Sequence, residues 1–177
     1  MGAVACTFAA NNVCNFIVLT GTDAAGDEVS FVRGIWRGQL GPDETCGSYR
    51  GSDIYLDRRW NSARAMSVIA QIFAGLAFFA SVFAMKASTR NKASLSSLGS
   101  LATKACLFEG LTLLFLSSSA CDSLSDVEPV TCTMDQGGKL AIAATVLWFV
   151  AGTSMACTMA AVIAQRAEDE ETGKVEQ

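Results

Sequence analysis

Residues 66–85 read MSVIAQIFAGLAFFASVFAM, twenty positions without a charge. Arg64 stands just before the run and Lys86 just after it. At about 1.5 Å per residue a helix of that length covers roughly 30 Å, the hydrocarbon thickness of a bilayer. In lipid every backbone polar group needs an internal partner, so an open strand is excluded and a helix is required. The residues before the run are of another kind. From Gly34 to Arg64 the chain is polar and turn-rich, with one cysteine, Cys46. A folded polar domain therefore meets a spanning helix with almost no linker.

The composition agrees. The chain has 177 residues, 51% hydrophobic and only 17% charged, against about a quarter charged in soluble domains. Its mean hydropathy is +0.35. The net charge is −4, with no basic domain, so nucleic acid is not an expected partner. No histidine is present. The commonest general base, metal ligand and pH switch is thus missing.

Charge placement predicts the organisation. Residues 1–60 form an exoplasmic β-domain and 61–85 the first membrane helix, capped by Asn61 or Ser62. Ala70, Ala74, Ala77 and Ser81 put small residues on one helix face, which favours close helix approach. Residues 86–97 form a loop. The stretch 86–104 holds Lys86, Arg90, Lys92 and Lys104 and no acid, which marks the cytoplasmic side. Residues 98–120 are a second span, interrupted by Lys104 and Glu109. Residues 121–139 form an exoplasmic loop in which Asp122, Asp126, Glu128 and Asp135 oppose Lys139. Residues 140–165 are a third span containing Trp148, and 166–177 a cytoplasmic acidic tail without fixed structure. Six arginines, at 33, 37, 50, 58, 59 and 64, run against this sidedness, and seven acids in the same domain offset them.

Within the β-domain, residues 14–20 are β-branched and aromatic and read as a strand stopped by Gly21. Residues 29–36 alternate, with Val29, Phe31 and Ile35 on one side. Two strands around the 23–27 loop make a hairpin, and 47–55 offer a third strand. A hairpin alone is marginal, so more strands or a packing partner are required. Residues 1–13 are too short to span a bilayer and lack the basic start of a signal peptide. They read either as the end of a first helix or as a strand or loose terminus.

Seven cysteines stand at 6, 14, 46, 106, 121, 132 and 157. Cys106 and Cys157 lie in apolar runs and read as buried thiols. Cys14, Cys46, Cys121 and Cys132 lie outside the spans and suit an oxidising compartment. Cys121–Cys132 closes one short loop. Cys14–Cys46 would staple the first strand to a later loop, although Cys6 competes for either partner.

Gly34-Ile35-Trp36, then Cys46, then Ala63-Arg64-Ala65 opening an apolar helix, resembles the claudin and peripheral-myelin-protein-like tetraspan superfamily. Its first extracellular loop has a Gly-Leu-Trp motif, two cysteines and an arginine at the mouth of the second membrane helix. Two features depart from that pattern. Gln39 and Leu40 occupy the region of the first motif cysteine, and the family's first membrane helix is not recognisable. The resemblance implies an α-helical membrane bundle, here of three recognisable spans, with a small antiparallel β-sheet extracellular domain. It implies adhesion, barrier formation or accessory scaffolding of another membrane protein.

No catalytic motif emerges, and no cofactor or metal is expected. Without histidine, a serine or cysteine nucleophile would need an unusual base. Glu109 is the one intramembrane carboxylate, a residue type often used in transport. The plainer reading places it near the cytoplasmic end, facing the bundle or Lys104. Trp36 reads as an interfacial anchor, and Arg58-Arg59-Trp60 as a patch against headgroups or an ordinary helix mouth. Arg64 reads as a clamp between domain and helix, or as a headgroup anchor. The expected partners are the lipid bilayer and other membrane proteins, copies of this chain among them. The expected location is the plasma membrane, with an organellar membrane as the alternative. The competing functions are a channel or transporter component using Glu109 and an accessory subunit of a large organellar complex.

Overall fold

The computed structural model describes residues 1–22, 25–39, 45–49, 57–86, 92–118, 121 and 131–173. Expectations placed on Arg50, the 50–55 part of the third strand, residues 87–91, residues 122–130 of the 121–139 loop and the last four residues lie outside these. Four helices form a bundle and a five-stranded sheet covers one end of it. The helices are α1 (Gly2–Asn12), α2 (Arg58–Lys86), α3 (Lys92–Thr112) and α4 (Gln136–Gly173). Around the bundle α1 neighbours α4 and α2, and α3 lies between α2 and α4.

Three segments are long and apolar enough to cross a membrane: Arg58–Ala84, Ser96–Ser117 and Gln136–Gln165. Their outer faces carry large apolar side chains. On α2, Val68, Ile72, Leu76, Phe79 and Phe83 recur at three- and four-residue spacing and are all exposed. The inner faces carry small ones: Ala70, Ala74 and Ala77 of α2, Ala102 and Ala105 of α3, and Ala141 and Ala144 of α4 are buried. This inversion of the soluble pattern is what lipid surroundings favour, since small residues let helices approach and large ones meet hydrocarbon.

The helix bounds correct several expectations. Residues 2–12 are a helix inside the bundle, not part of the β-domain, a strand or a loose terminus. α2 begins one turn earlier than Asn61, because Asp57 Oδ1 accepts the Trp60 backbone N–H at 2.7 Å and caps it. α3 tightens into a 3-10 segment, Leu113–Ser117. There the hydroxyls of Ser117 and Ser118 donate to the carbonyls of Leu114 and Phe115, offering the backbone partners other than the next helical turn. α4 runs on to Gly173, so most of the acidic tail is helical.

The sheet order is β4-β3-β2-β1-β5, antiparallel throughout. β1 is Ile17–Thr22 and β2 is Glu28–Arg33, paired from Ile17 against Arg33 to Thr22 against Glu28. Gly21 thus lies within β1 and does not end it. β3 (Arg37–Gly38) and β4 (Gly47–Ser48) are two residues each. The fifth strand, β5 (Thr131–Met134), comes from the loop before α4 and pairs with the other side of β1. The β-domain is therefore built from both segments outside the spans, which answers the need for more strands.

One apolar cluster joins sheet to bundle. Phe16, Ile17, Leu19, Phe31 and Ile35 pack with Trp60, Ala63, Phe115 and Ala141. Phe115 takes Phe16 and Trp60 edge-on, at 5.5 and 5.3 Å between ring centres, geometry worth about 0.5–1.5 kcal/mol per pair beyond burial. Trp60 is fully buried, so it does not belong to a headgroup patch. Arg58 and Arg59 are exposed, and Arg59 donates to the Ser117 carbonyl at 2.7 Å.

Candidate functional site

The chain leaves β2 at Gly34 and turns through Ile35 and Trp36 into β3. Gly34 is required there. A Cβ at this position would collide with the carbonyl oxygens of Val13, Cys14 and Arg37, all backbone atoms that cannot rotate away. The turn points the Ile35 carbonyl at the first turns of α2. Arg64 Nε donates to that oxygen at 2.9 Å and Trp60 Nε1 donates to it at 3.2 Å. The carbonyl has left the strand ladder, and its two lone pairs are satisfied by the helix instead.

The guanidinium lies among three aromatic rings. Its carbon is 5.2 Å from the Trp36 ring centre, 5.4 Å from Tyr49 and 5.6 Å from Trp60. Each such contact contributes about 0.5–2 kcal/mol, more as water is excluded. Trp36 Nε1 donates to Ser67 Oγ at 3.1 Å, and Ser67 Oγ donates to the Arg64 carbonyl at 2.9 Å. Tyr49 Oη donates to the Gly34 carbonyl at 3.0 Å and meets Trp60 edge-on. Burial pushes the Tyr49 phenol up to about 12, against the smaller opposing pull of Arg33, Arg64 and the Gly34 hydrogen bond. Burial also lowers the pKa of the Arg33 guanidinium, with Tyr49 opposing. Gly34, Trp36 and Arg64, singled out in the sequence, thus meet in one junction. Trp36 is 37% exposed and is the most exposed of the three.

Glu109 lies elsewhere. It faces the bundle interior from the half of α3 nearer the sheet, not the far end, and is fully buried. Asn11 Nδ2 donates to Glu109 Oε2 at 3.3 Å and to the Thr7 carbonyl at 2.9 Å. Trp148 Nε1 donates to Thr7 Oγ1 at 3.0 Å. Two buried atoms in this set, Glu109 Oε1 and Asn11 Oδ1, have no hydrogen-bond partner. Lys104 is not the partner; its ammonium lies over the Phe73 ring. A cavity of about 310 Å³ opens among Val4, Ala77, Phe78, Leu98, Ala102 and Trp148, and Glu109 does not line it. The carboxyl is therefore part of a polar latch holding α1 to α3 and α4.

Both disulfides form. Cys14–Cys46 joins the entry to β1 with the entry to β4, and Cys121–Cys132 ties the end of the α3 segment to β5. Where the family resemblance reserves a cysteine, Gln39 bonds Val32 through both backbone and side chain. Cys6, Cys106 and Cys157 are free, and Cys157 is exposed, not buried. Among the described residues no cluster of three or more His, Cys, Asp or Glu could hold a metal.

The sequence reading missed Tyr49, Ser67, Asn11 and Thr7. Ser67 lies three residues after Arg64, on the same helix face, which is a local signal. Tyr49 and Asn11 carry no such signal, since only the fold brings them to Arg64 and Glu109. No family model matches the chain, and no curated protein matches it significantly.

Proposed function

We propose that the protein is a claudin-like multi-pass membrane protein that works by binding other membrane proteins, as an adhesion, barrier or accessory scaffold component, and not by catalysis. The supporting observation is the junction at Arg64. A half-buried cation, three aromatic rings and four hydrogen bonds fix a disulfide-bonded sheet rigidly on the first long apolar helix. Such stiffness serves a surface presented to a partner at a set angle. It is not what a moving gate requires. The sheet and the 121–139 loop occupy the exoplasmic side in this reading, where disulfides persist. The plasma membrane follows as the location.

The competing reading is a transporter component using Glu109. Its burial in a latch with Asn11 and Thr7, away from the bundle cavity, weighs against it. The two separate by experiment. Purification in mild detergent with mass spectrometry is expected to recover a stoichiometric membrane partner or a self-assembly. A purified, partner-free protein that moves ions across vesicles in a Glu109-dependent manner would overturn the scaffold reading.

A further inference from the structure

Lys104 is an exposed cation in the middle of a spanning segment. Two neighbouring helices fix its level. Thr103, next to it, faces Gly152 of α4, sixteen residues after Gln136 and thirteen before Gln165. Its ammonium lies 5.5 Å from the centre of the Phe73 ring of α2, fifteen residues after Arg58 and eleven before Ala84. At about 1.5 Å per residue, both neighbours stand about 16 Å or more from the ends of their spans. The Phe73 ring is itself stacked on Phe108, so the shelf beneath the amine is held from both helices. Ile72, Leu76 and Leu107, on the same two helices, are exposed. Among the described residues no carboxylate pairs with Lys104.

A lysine that serves lipid headgroups extends along the helix toward the interface. This one instead rests against the ring, level with the middle of the spans. A charge at that depth is costly unless it meets an opposite charge, and such residues mark contact and transport paths. Glu109, the chain's own carboxylate in α3, is turned inward and taken up by Asn11.

We infer that the outer seam of α2 and α3 around Lys104 is a docking surface for a partner membrane helix that carries a carboxylate side chain near its midpoint. Charge complementarity selects the partner, and the exposed Ile72, Leu76 and Leu107 supply apolar contact around the pair. The inference rests on the reading that these helices span a bilayer.

The test uses the full chain in phosphatidylcholine vesicles, with leucine-rich transmembrane peptides that carry Glu, Leu or Lys at their centre. The spanning reading is checked first with Leu107→Cys in a full chain whose free cysteines, Cys6, Cys106 and Cys157, are replaced. Rapid reaction with a water-soluble maleimide contradicts that reading itself, whereas protection upholds it. Association is then followed by fluorescence transfer. The Glu peptide is expected to bind about tenfold more tightly than the Leu peptide. Lys104→Leu should erase the difference, and Lys104→Glu should move the preference to the Lys peptide. Protected Leu107→Cys with equal binding of the Glu and Leu peptides overturns the docking surface alone. So does a Glu preference that survives in Lys104→Leu. In matching vesicles with one fifth of the lipid replaced by phosphatidylserine, Lys104-dependent enrichment of that lipid around the protein, without preference among peptides, assigns the amine to headgroups and likewise overturns it.

Discussion

Arg64 acts through two physical terms that lysine reproduces unequally. An ammonium can lie over the Trp36, Tyr49 and Trp60 rings, but it lacks the planar fork that lets Nε reach the Ile35 carbonyl while the group stays among them. Arg64→Ala should lower stability by about 2–4 kcal/mol, from the lost charged hydrogen bond and the ring contacts. It should also raise protease cleavage between β4 and α2, with bilayer insertion unchanged because the apolar run after it is intact. Arg64→Lys should recover about half of this. Limited proteolysis in nanodiscs compares the three, and a lysine form indistinguishable from wild type would reduce Arg64 to a headgroup anchor. At Glu109 the two unpartnered oxygens make a different prediction. Glu109→Gln supplies an N–H for the Asn11 oxygen and should cost nothing in thermal stability, whereas Glu109→Leu strands the Asn11 amide at about 1–3 kcal/mol. A glutamine form melting below the leucine form would contradict the latch.

Tyr49 links the junction to pH. Its phenol is held up to about 12 in the folded protein, against about 10 when free. Raising the folded value favours the protonated, folded form. The stabilisation is fully present below pH 10 and is lost as pH rises from about 10 to 12, because the unfolded chain then releases its proton first. Wild type should therefore lose stability across that window more steeply than Tyr49→Phe. Parallel pH curves for the two proteins would rule out a buried phenol.

Among the elements, β5 rests on contacts distant in sequence. It has four residues, one partner strand, and the Cys121–Cys132 bridge at its back. A bridge closing so short a loop contributes on the order of 2–3 kcal/mol. Replacing both cysteines by serine should expose the Leu19–Thr20 edge of β1. Amide exchange there should accelerate while exchange in α2 is unchanged. If β1 stays as protected as before, Phe16 and Asp135 alone hold the edge, through the Asp135 N–H to Phe16 carbonyl bond.

At the scale of the whole molecule, the sheet end and the opposite end of the bundle should lie on opposite sides of a membrane. In a background of free cysteines replaced, single reporters at Ser96 and Ser125 should react with impermeant maleimide from opposite faces of sealed vesicles. Reaction from the same face would break the topology on which both the scaffold reading and the disulfide compartment depend.

Periodicity and charge alone determined the three long apolar helices, because a 20-residue uncharged run has few other ways to satisfy its backbone in lipid. Local patterning likewise determined the β1–β2 hairpin and the cysteine sets outside the spans. Tertiary structure decided the rest. Residues 2–12 are too few to declare themselves as a bundle helix, and they are held by packing against α4 and by the Asn11–Glu109 contact, 98 residues apart in sequence. β5 is four residues whose pairing with β1 spans more than a hundred positions. Trp60 looked like an interfacial tryptophan because its neighbours are arginines, yet Phe115 and Ile35 bury it. Each of these depends on which distant surface a short segment meets. Sequence spacing records the face that a residue occupies on its own element, but not the element that will cover that face.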